Sequence, residues 1–130
     1  YKVTGVQTCA LPIWFKVDAA TEESIKIINQ VNLKPNQILE RLRNCANACP
    51  TFVQTCIFTI NGQNPSEKDI DAYVELINKI KNNIKGVHLY GLARPSLQPQ
   101  AENLGRISEE TLKEIAKKLR HLEIETTVSY

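Results

Sequence analysis

The sequence predicts an α/β fold, a partial parallel (β/α) barrel, because short apolar runs alternate with amphipathic stretches. The apolar runs lie at residues 14–19, 51–60, 87–92 and 124–128, and the second is dense in β-branched and aromatic residues, as strands are. Nearly continuous apolar strands separated by helices favour a parallel sheet covered by helices. The chain has 130 residues, 42% of them apolar, so it is long enough for one domain with a core.

Four helices are predicted between and after these strands. Thr21, Ser66 and Ser108 are suitable N-caps, and Pro35 suits a first helical turn because proline lacks the N–H that would stay unpaired there. We expect Gly86 to end the third helix. Each helix has an apolar stripe, and the stripes comprise Ile25, Ile28 and Val31; Ile38, Leu42, Cys45 and Cys49; Ile70, Tyr73, Val74, Ile77, Ile80 and Ile84; and Leu112, Ile115, Ala116 and Leu119.

The N-terminal segment reads differently from the rest. Residues 3–13 are similar to the translation of a common sequencing-library adapter, so we interpret residues 1–13 as artefactual. Residues 14–130 would then be the C-terminal part of a barrel domain whose earlier strands are missing. A parallel sheet starting at Trp14 would have an unpaired edge, which agrees with that interpretation.

The charge pattern excludes several partners. A net charge of +2 with 23% charged residues, basic and acidic side chains interleaved, argues against nucleic-acid or membrane-surface binding. No apolar run reaches the roughly 20 residues of a membrane span. Outside the N-terminal segment, which contains Cys9, the cysteines are Cys45, Cys49 and Cys56. We expect them to be reduced, buried and structural, in a cytoplasmic protein.

Polar residues inside the predicted strands indicate a site. Side chains two apart in a strand share a face, and a face that packs against helices must be apolar, so polar pairs would point into the barrel lumen. Each of these residues also has a structural interpretation: the lysine could reach the surface, the glutamine could bond a backbone group and the histidine could be a core residue. The pairs are Lys16 and Asp18, Gln54 and Cys56, and His88 and Tyr90.

The strand exits would surround one mouth, since chemistry in such barrels is built at the C-terminal strand ends. Asp18, residues 59–62 and residues 90–95 lie at these exits. Arg94, in a predicted loop that extends to Arg106, could bind a carboxylate or phosphate, or be solvated. We interpret residues 61–64 as an ordinary strand-to-helix turn, too short for a glycine-rich phosphate loop.

The order of elements resembles the second half of the radical S-adenosylmethionine (SAM) enzymes. Residues 15–19 followed by Thr21-Glu22-Glu23 are similar to the family's fourth-strand motif. Residues 53–60 with the exit Gly62, Asn64 and Glu67 are similar to its fifth strand, and residues 87–95 to the sixth strand of a bacterial subgroup. The chain departs from the family in lacking the Cys-x3-Cys-x2-Cys loop and the Gly-Gly-Glu motif, and Lys16 replaces a serine.

The resemblance implies a parent enzyme with a [4Fe-4S] cluster, whose cysteines would lie upstream. Such an enzyme cleaves SAM reductively to a 5′-deoxyadenosyl radical and needs an external electron donor. Its small-molecule or peptide substrate is unknown. The resemblance assigns Lys16, Asp18, Gln54 and Tyr90 to the cofactor, and Arg94 and His88 to the substrate. The chain itself would be inactive and would fold poorly alone.

Two other functions fit the residues. Lys16, desolvated in the lumen, could be the nucleophile of a Schiff-base aldolase-type barrel, with Asp18 and Tyr90 as acid–base partners. Alternatively, the polar faces could hold only water in a non-catalytic binding domain.

Overall fold

A computed structural model describes Cys9, residues 11–92 and residues 103–130 of the chain. Its elements follow in the order β1 (Ile13–Lys16), α1 (Glu22–Asn29), α2 (Pro35–Ala48), β2 (Thr51–Ile60), α3 (Glu67–Ile80), β3 (Gly86–Gly91), β4 (Leu104–Arg106), α4 (Glu109–His121) and β5 (Thr126–Ser129).

Four of the strands form a parallel sheet in the order β1-β2-β3-β5. β2 is the longest strand, with ten residues, and it pairs with β1 on one side and with β3 on the other. Helices connect the successive parallel strands, as parallel pairing requires. The predicted α/β fold with a parallel sheet is confirmed.

The helices pack on one face of this sheet. Val53, Val87 and Leu89 point into the core there and have at most 2% of their surface exposed. The helical residues packed with them include Leu39, Leu42, Tyr73, Leu76, Ile77, Ile80, Leu112, Ile115, Ala116 and Leu119. Burial of this apolar surface supplies the main favourable free energy of folding, at roughly 25 cal/mol per Å².

The helix starts follow the sequence signals. Thr21, Ser66 and Ser108 cap α1, α3 and α4, each side chain accepting a hydrogen bond from the backbone N–H three residues later. Pro35 is the first residue of α2. Acidic residues fill the first turns of the three capped helices, where they interact favourably with the helix dipole.

Several predicted boundaries were wrong. Strand β1 starts one residue earlier than predicted, at Ile13, and pairing ends at Lys16. Helix α1 ends before Val31, which is 43% exposed, because Gln30 adopts a left-handed conformation. Helix α3 ends at Ile80, and Gly86 instead begins β3. Strand β5 begins at Thr126, two residues later than predicted.

Strand β4 lies within the predicted loop and pairs antiparallel with the last residues of β2. A Cβ added to Gly105 would clash with the Thr59 hydroxyl oxygen, so a larger residue here would have to displace the Thr59 side chain. A three-residue strand has too little apolar pattern to be visible in sequence, and its glycine indicates a loop rather than a strand.

None of the helices in the described part of the chain is sufficiently long and apolar to cross a membrane.

Candidate functional site

The polar strand residues share the sheet face opposite the helices, called here the open face. Lys16 pairs in register with Gln54, and Gln54 with His88. One step further along the strands, Cys56 pairs with Tyr90. The prediction that three neighbouring strands turn polar side chains to one side is therefore confirmed by the register.

Lys16 is held by two neighbours on this face. Its Nζ lies 3.4 Å from the Asp18 Oδ2 atom and 5.9 Å from the centre of the Tyr90 ring. Burial lowers the pKa of Lys16, but the Tyr90 side chain and the Asp18 charge outweigh burial, so the pKa is raised above its ordinary value. With 56% of its side chain exposed, Lys16 stays a charged ammonium on the open face.

These properties argue against the Schiff-base alternative. A nucleophilic lysine needs a depressed pKa, which burial away from opposite charges would provide. Lys16 instead has a carboxylate neighbour and a raised pKa. The expectation that Lys16 is desolvated is wrong, because 56% of its side chain is exposed, and Asp18 is close enough to stabilise its charge.

Asp18 links β1 to β2 through its side chain. Its Oδ1 atom accepts a hydrogen bond of 3.0 Å from the Cys56 backbone N–H, while Oδ2 faces Lys16. Only 12% of the Asp18 side chain is exposed, so both of its interactions are partly shielded from water. Asp18 therefore both fixes the end of β1 and orients the Lys16 ammonium.

His88 has a hydrogen-bond partner on the next strand. Its Nδ1 atom lies 2.8 Å from the Thr127 Oγ1 atom on β5. Its ring packs edge-on to Trp14 and tilted against Tyr90, with 6.1 Å between ring centres in both cases. Trp14 in turn stacks on Phe52 at 4.9 Å. An aromatic row thus borders the polar residues toward the N-terminal ends of the strands.

The structure thus brings five of the six predicted site residues together. Lys16, Gln54, His88 and Tyr90 lie on the open face, and Asp18 closes its end. Arg94 lies outside the described residues. The roles of these side chains toward cofactor or substrate stay predictions.

The cysteines do not converge. Cys56 is buried on the open face, and burial, helped by the Asp18 charge and opposed by Lys16, raises the pKa of its thiol to about 11. Cys45 is half-buried, with its Sγ 3.5 Å from the Thr51 hydroxyl. These two thiols are free, as predicted. No group of three His, Cys, Asp or Glu side chains in the described ranges could hold a metal ion.

The prediction of a reduced thiol is wrong for Cys49, which forms a disulfide with Cys9. The two Cα atoms are 5.6 Å apart, a usual separation for a disulfide. At the start of β1, the Ile13 N–H donates to the Pro50 carbonyl over 2.8 Å, so this strand begins beside the C-terminal end of α2. Sequence separation of 40 residues concealed this proximity.

A cleft of about 360 Å³ lies at the C-terminal ends of β1 and β2, where the helices α1 and α3 begin. Its polar lining includes Asp18, Glu23, Asn61, Gln63, Asn64 and Asp69. Its apolar lining includes Ala20, Ile28, Ile57, Phe58, Ile60 and Ile70. This is the edge of the sheet at which ligands bind in parallel α/β folds.

The two helix starts meet at this cleft. The Thr21 hydroxyl caps α1 and also donates to the Asp69 Oδ1 atom of α3 over 3.1 Å. The turn after β2 places both Asn61 and Gly62 at positive φ, 53° and 76°. Residues 61–64 form a strand-to-helix turn, as predicted, but the sequence does not predict that they lie on the same cleft as α1. The available signal was three amide side chains directly after a buried strand.

The fold is similar to those of two solved structures. A domain of pyruvate-formate lyase-activating enzyme from Bacteroides vulgatus ATCC 8482 matches with a TM-score of 0.67 and 17% identity over 92% of this chain and 67% of that one. A radical SAM methyltransferase from Sphaerobacter thermophilus matches with a TM-score of 0.66 and 15% identity over 96% of this chain and 35% of that one. The predicted resemblance to radical SAM enzymes is confirmed at the level of the fold.

Neither a protein-family model nor a curated protein sequence matches the chain.

Proposed function

We propose that this chain is part of a radical SAM enzyme and that its open face contributes to the SAM site. The observation that carries the proposal is the row of Lys16, Gln54 and His88 across three parallel strands, on the sheet face opposite the described helices. Its support is the fold shared with enzymes of this kind.

The open face fits part of such a cofactor. A fixed ammonium, as on Lys16, suits the methionine carboxylate or a ribose hydroxyl, and the Gln54 amide can donate and accept hydrogen bonds beside it. Tyr90 adds an aromatic surface next to Lys16. When bound and reduced, SAM supplies a radical that abstracts hydrogen from a substrate, while the protein binds, orients and excludes water.

The described residues do not fit the iron–sulfur cluster. Cys45 contacts Thr51, Cys49 lies at the end of α2 and Cys56 is a buried thiol on β2, and these three side chains do not converge on one point as cluster ligands must. Cluster ligands would have to come from other residues. We therefore assign this chain only to SAM contacts and to positioning.

Asp18 acts as a positioning residue in this proposal. Its carboxylate keeps the Lys16 side chain over the sheet and keeps its charge, so the ammonium is ready for an anionic group. Its other oxygen holds β2 through the Cys56 N–H. The Lys16 ammonium then needs little reorganisation when a ligand binds, which favours affinity.

Extending the reading frame upstream of Trp14 tests the proposal. We expect three cysteines spaced Cys-x3-Cys-x2-Cys. We expect the extended protein, reconstituted anaerobically with iron and sulfide and supplied with dithionite as electron donor, to cleave SAM reductively to methionine and 5′-deoxyadenosine. The chain as printed should show no such activity. A restored frame without these cysteines would refute the proposal.

The role of Lys16 is tested in the extended protein. We expect Lys16→Ala to weaken SAM binding about tenfold or more, because a charge-assisted hydrogen bond is lost. The matched control is Lys113→Ala, a surface lysine paired with Glu109 on α4, which should bind SAM normally. Equal affinity in both variants would remove Lys16 from the site.

A further inference from the structure

The cleft between α1 and α3 has a chemical character of its own. Its floor is apolar, formed mainly by the end of β2 and by Ile28 and Ile70. Its volume of about 360 Å³ lies in the range of small-molecule sites. No lysine, arginine or histidine is among the described residues that line it.

The charges at the cleft favour a cation. The N-termini of α1 and α3 each contribute about half a positive charge. The Asp18 charge is balanced by Lys16, but Glu23 and Asp69 each add a negative charge to the lining. The negative charge of Glu23 and Asp69 thus exceeds the positive charge of the two helix N-termini by about one elementary charge. The cleft is therefore not the anion-binding site that two converging helix starts would otherwise make.

The carboxylates also differ in availability. One Asp69 oxygen accepts from the Thr21 hydroxyl, and Asp18 bonds the Cys56 N–H and faces Lys16. Glu23 has no hydrogen bond or ion pair with any residue that the structure describes. The amides of Asn61, Gln63 and Asn64 at the opposite rim supply neutral acceptors.

We infer that this cleft binds a ligand with an alkylammonium or guanidinium group, whose aliphatic stem lies on the apolar floor and whose charge lies beside Glu23 and Asp69. This ligand class follows from the cleft alone. That such a ligand is the substrate of the enzyme rests on the proposed function, and Asp18, which belongs to both the cleft and the open face, would bring substrate and cofactor side by side.

Three probes with one apolar stem test the charge preference. n-Pentylamine, pentan-1-ol and pentanoate are titrated into the chain while the amide NMR signals of Glu23, Asn61 and Gln63 are followed. We expect pentylamine to bind about tenfold or more tightly than pentanol, and pentanoate not to bind. Pentanoate binding as tightly as pentylamine, or no shift with pentylamine or a lysine derivative, would overturn the inference.

A matched pair of variants tests the site. Glu23 and Glu110 are both the second residue of a helix, in α1 and α4, so Glu23→Gln and Glu110→Gln remove the same dipole interaction. We expect only Glu23→Gln to weaken pentylamine binding, by about tenfold. Equal affinity in the two variants would contradict the assignment.

The source of the cation is distinguished by a second titration. N-Acetyl-lysine methylamide presents the same ammonium as a peptide side chain does, and tighter binding than pentylamine would identify a lysine-bearing peptide rather than a free amine. None of these titrations needs SAM or a cluster. Missing upstream cysteines would therefore refute the proposed function and leave the cation site intact, and the reverse also holds.

Discussion

The side chains on the two faces of the parallel sheet make different kinds of contact. On the helix-covered face, contacts are almost all apolar, and residues such as Val53 and Leu89 have no exposed surface. On the open face, side chains range from the buried Cys56 to the exposed Lys16, and Lys16 contacts both the Asp18 carboxylate and the Tyr90 ring. One face therefore supplies stability, and the other keeps groups available for ligands.

The largest expected difference is between two neighbours in β3 that point to opposite faces. Leu89→Ala should lower the free energy of unfolding by about 2–5 kcal/mol, because it leaves a cavity in the core. Tyr90→Ala should cost about 1 kcal/mol, since its ring lies on the half-exposed face. Urea unfolding followed by circular dichroism measures both, and similar costs would mean that the two faces contribute alike.

A smaller effect tests the main polar contact on the core side. The hydroxyls of Thr55 and Tyr73 lie 2.7 Å apart, and burial raises the pKa of Tyr73 above its ordinary range. Tyr73→Phe should cost about 1–3 kcal/mol of unfolding free energy, because the Thr55 hydroxyl then stays buried without this partner.

A double variant is the control for that measurement. Adding Thr55→Val to Tyr73→Phe removes both polar groups, so part of the lost stability should return. Tyr130→Phe, at an exposed ring, should change nothing. A double variant less stable than Tyr73→Phe would show that the pair is not an isolated interaction.

The smallest expected effect concerns pH and the open face. Because the pKa of Cys56 is raised from 9.0 to about 11, the folded state keeps a proton that the unfolded state loses in this range. Stability should therefore be complete below pH 9 and decline as the pH rises toward 11. Lys16, whose pKa is also raised, contributes in the same direction at still higher pH.

Chemical denaturation at pH 8 and pH 10.5 measures this decline. We expect a shallower decline in Cys56→Ala than in the parent chain, and an unchanged decline in Cys45→Ala, whose thiol is half-buried on α2. An equal decline of the free energy of unfolding in all three proteins would mean that a group other than Cys56 causes the pH dependence.

The sequence contained most of the information on the sheet. β2 was predicted with its exact bounds, because ten β-branched, aromatic and apolar residues lie between Pro50 and a turn. The polar pairs on three strands were sufficient to predict the open face, since alternation within a strand is a local property. The capping residues were equally local, and three helices start where predicted.

Apart from the bounds of β1, α1, α3 and β5, the missed features depend on distant contacts. The pairing of β4 with β2, the disulfide between Cys9 and Cys49, and the contact between Thr21 and Asp69 join residues about 40 or more positions apart. No periodicity in the sequence encodes such proximity. The third of these contacts lies at the cleft between α1 and α3, so the sequence predicted the open face but not the cleft beside it.

The Asp18 carboxylate has a consequence for how experiments on this region are interpreted. In a regular parallel ladder the Cys56 N–H would bond the Val17 carbonyl, since the Val17 N–H already bonds Gln54. The Asp18 side chain accepts this hydrogen bond instead, so its carboxylate oxygen takes the place of a main-chain carbonyl in the sheet. An alanine there would disturb strand spacing and charge together, whereas asparagine keeps an oxygen for the amide and removes only the charge.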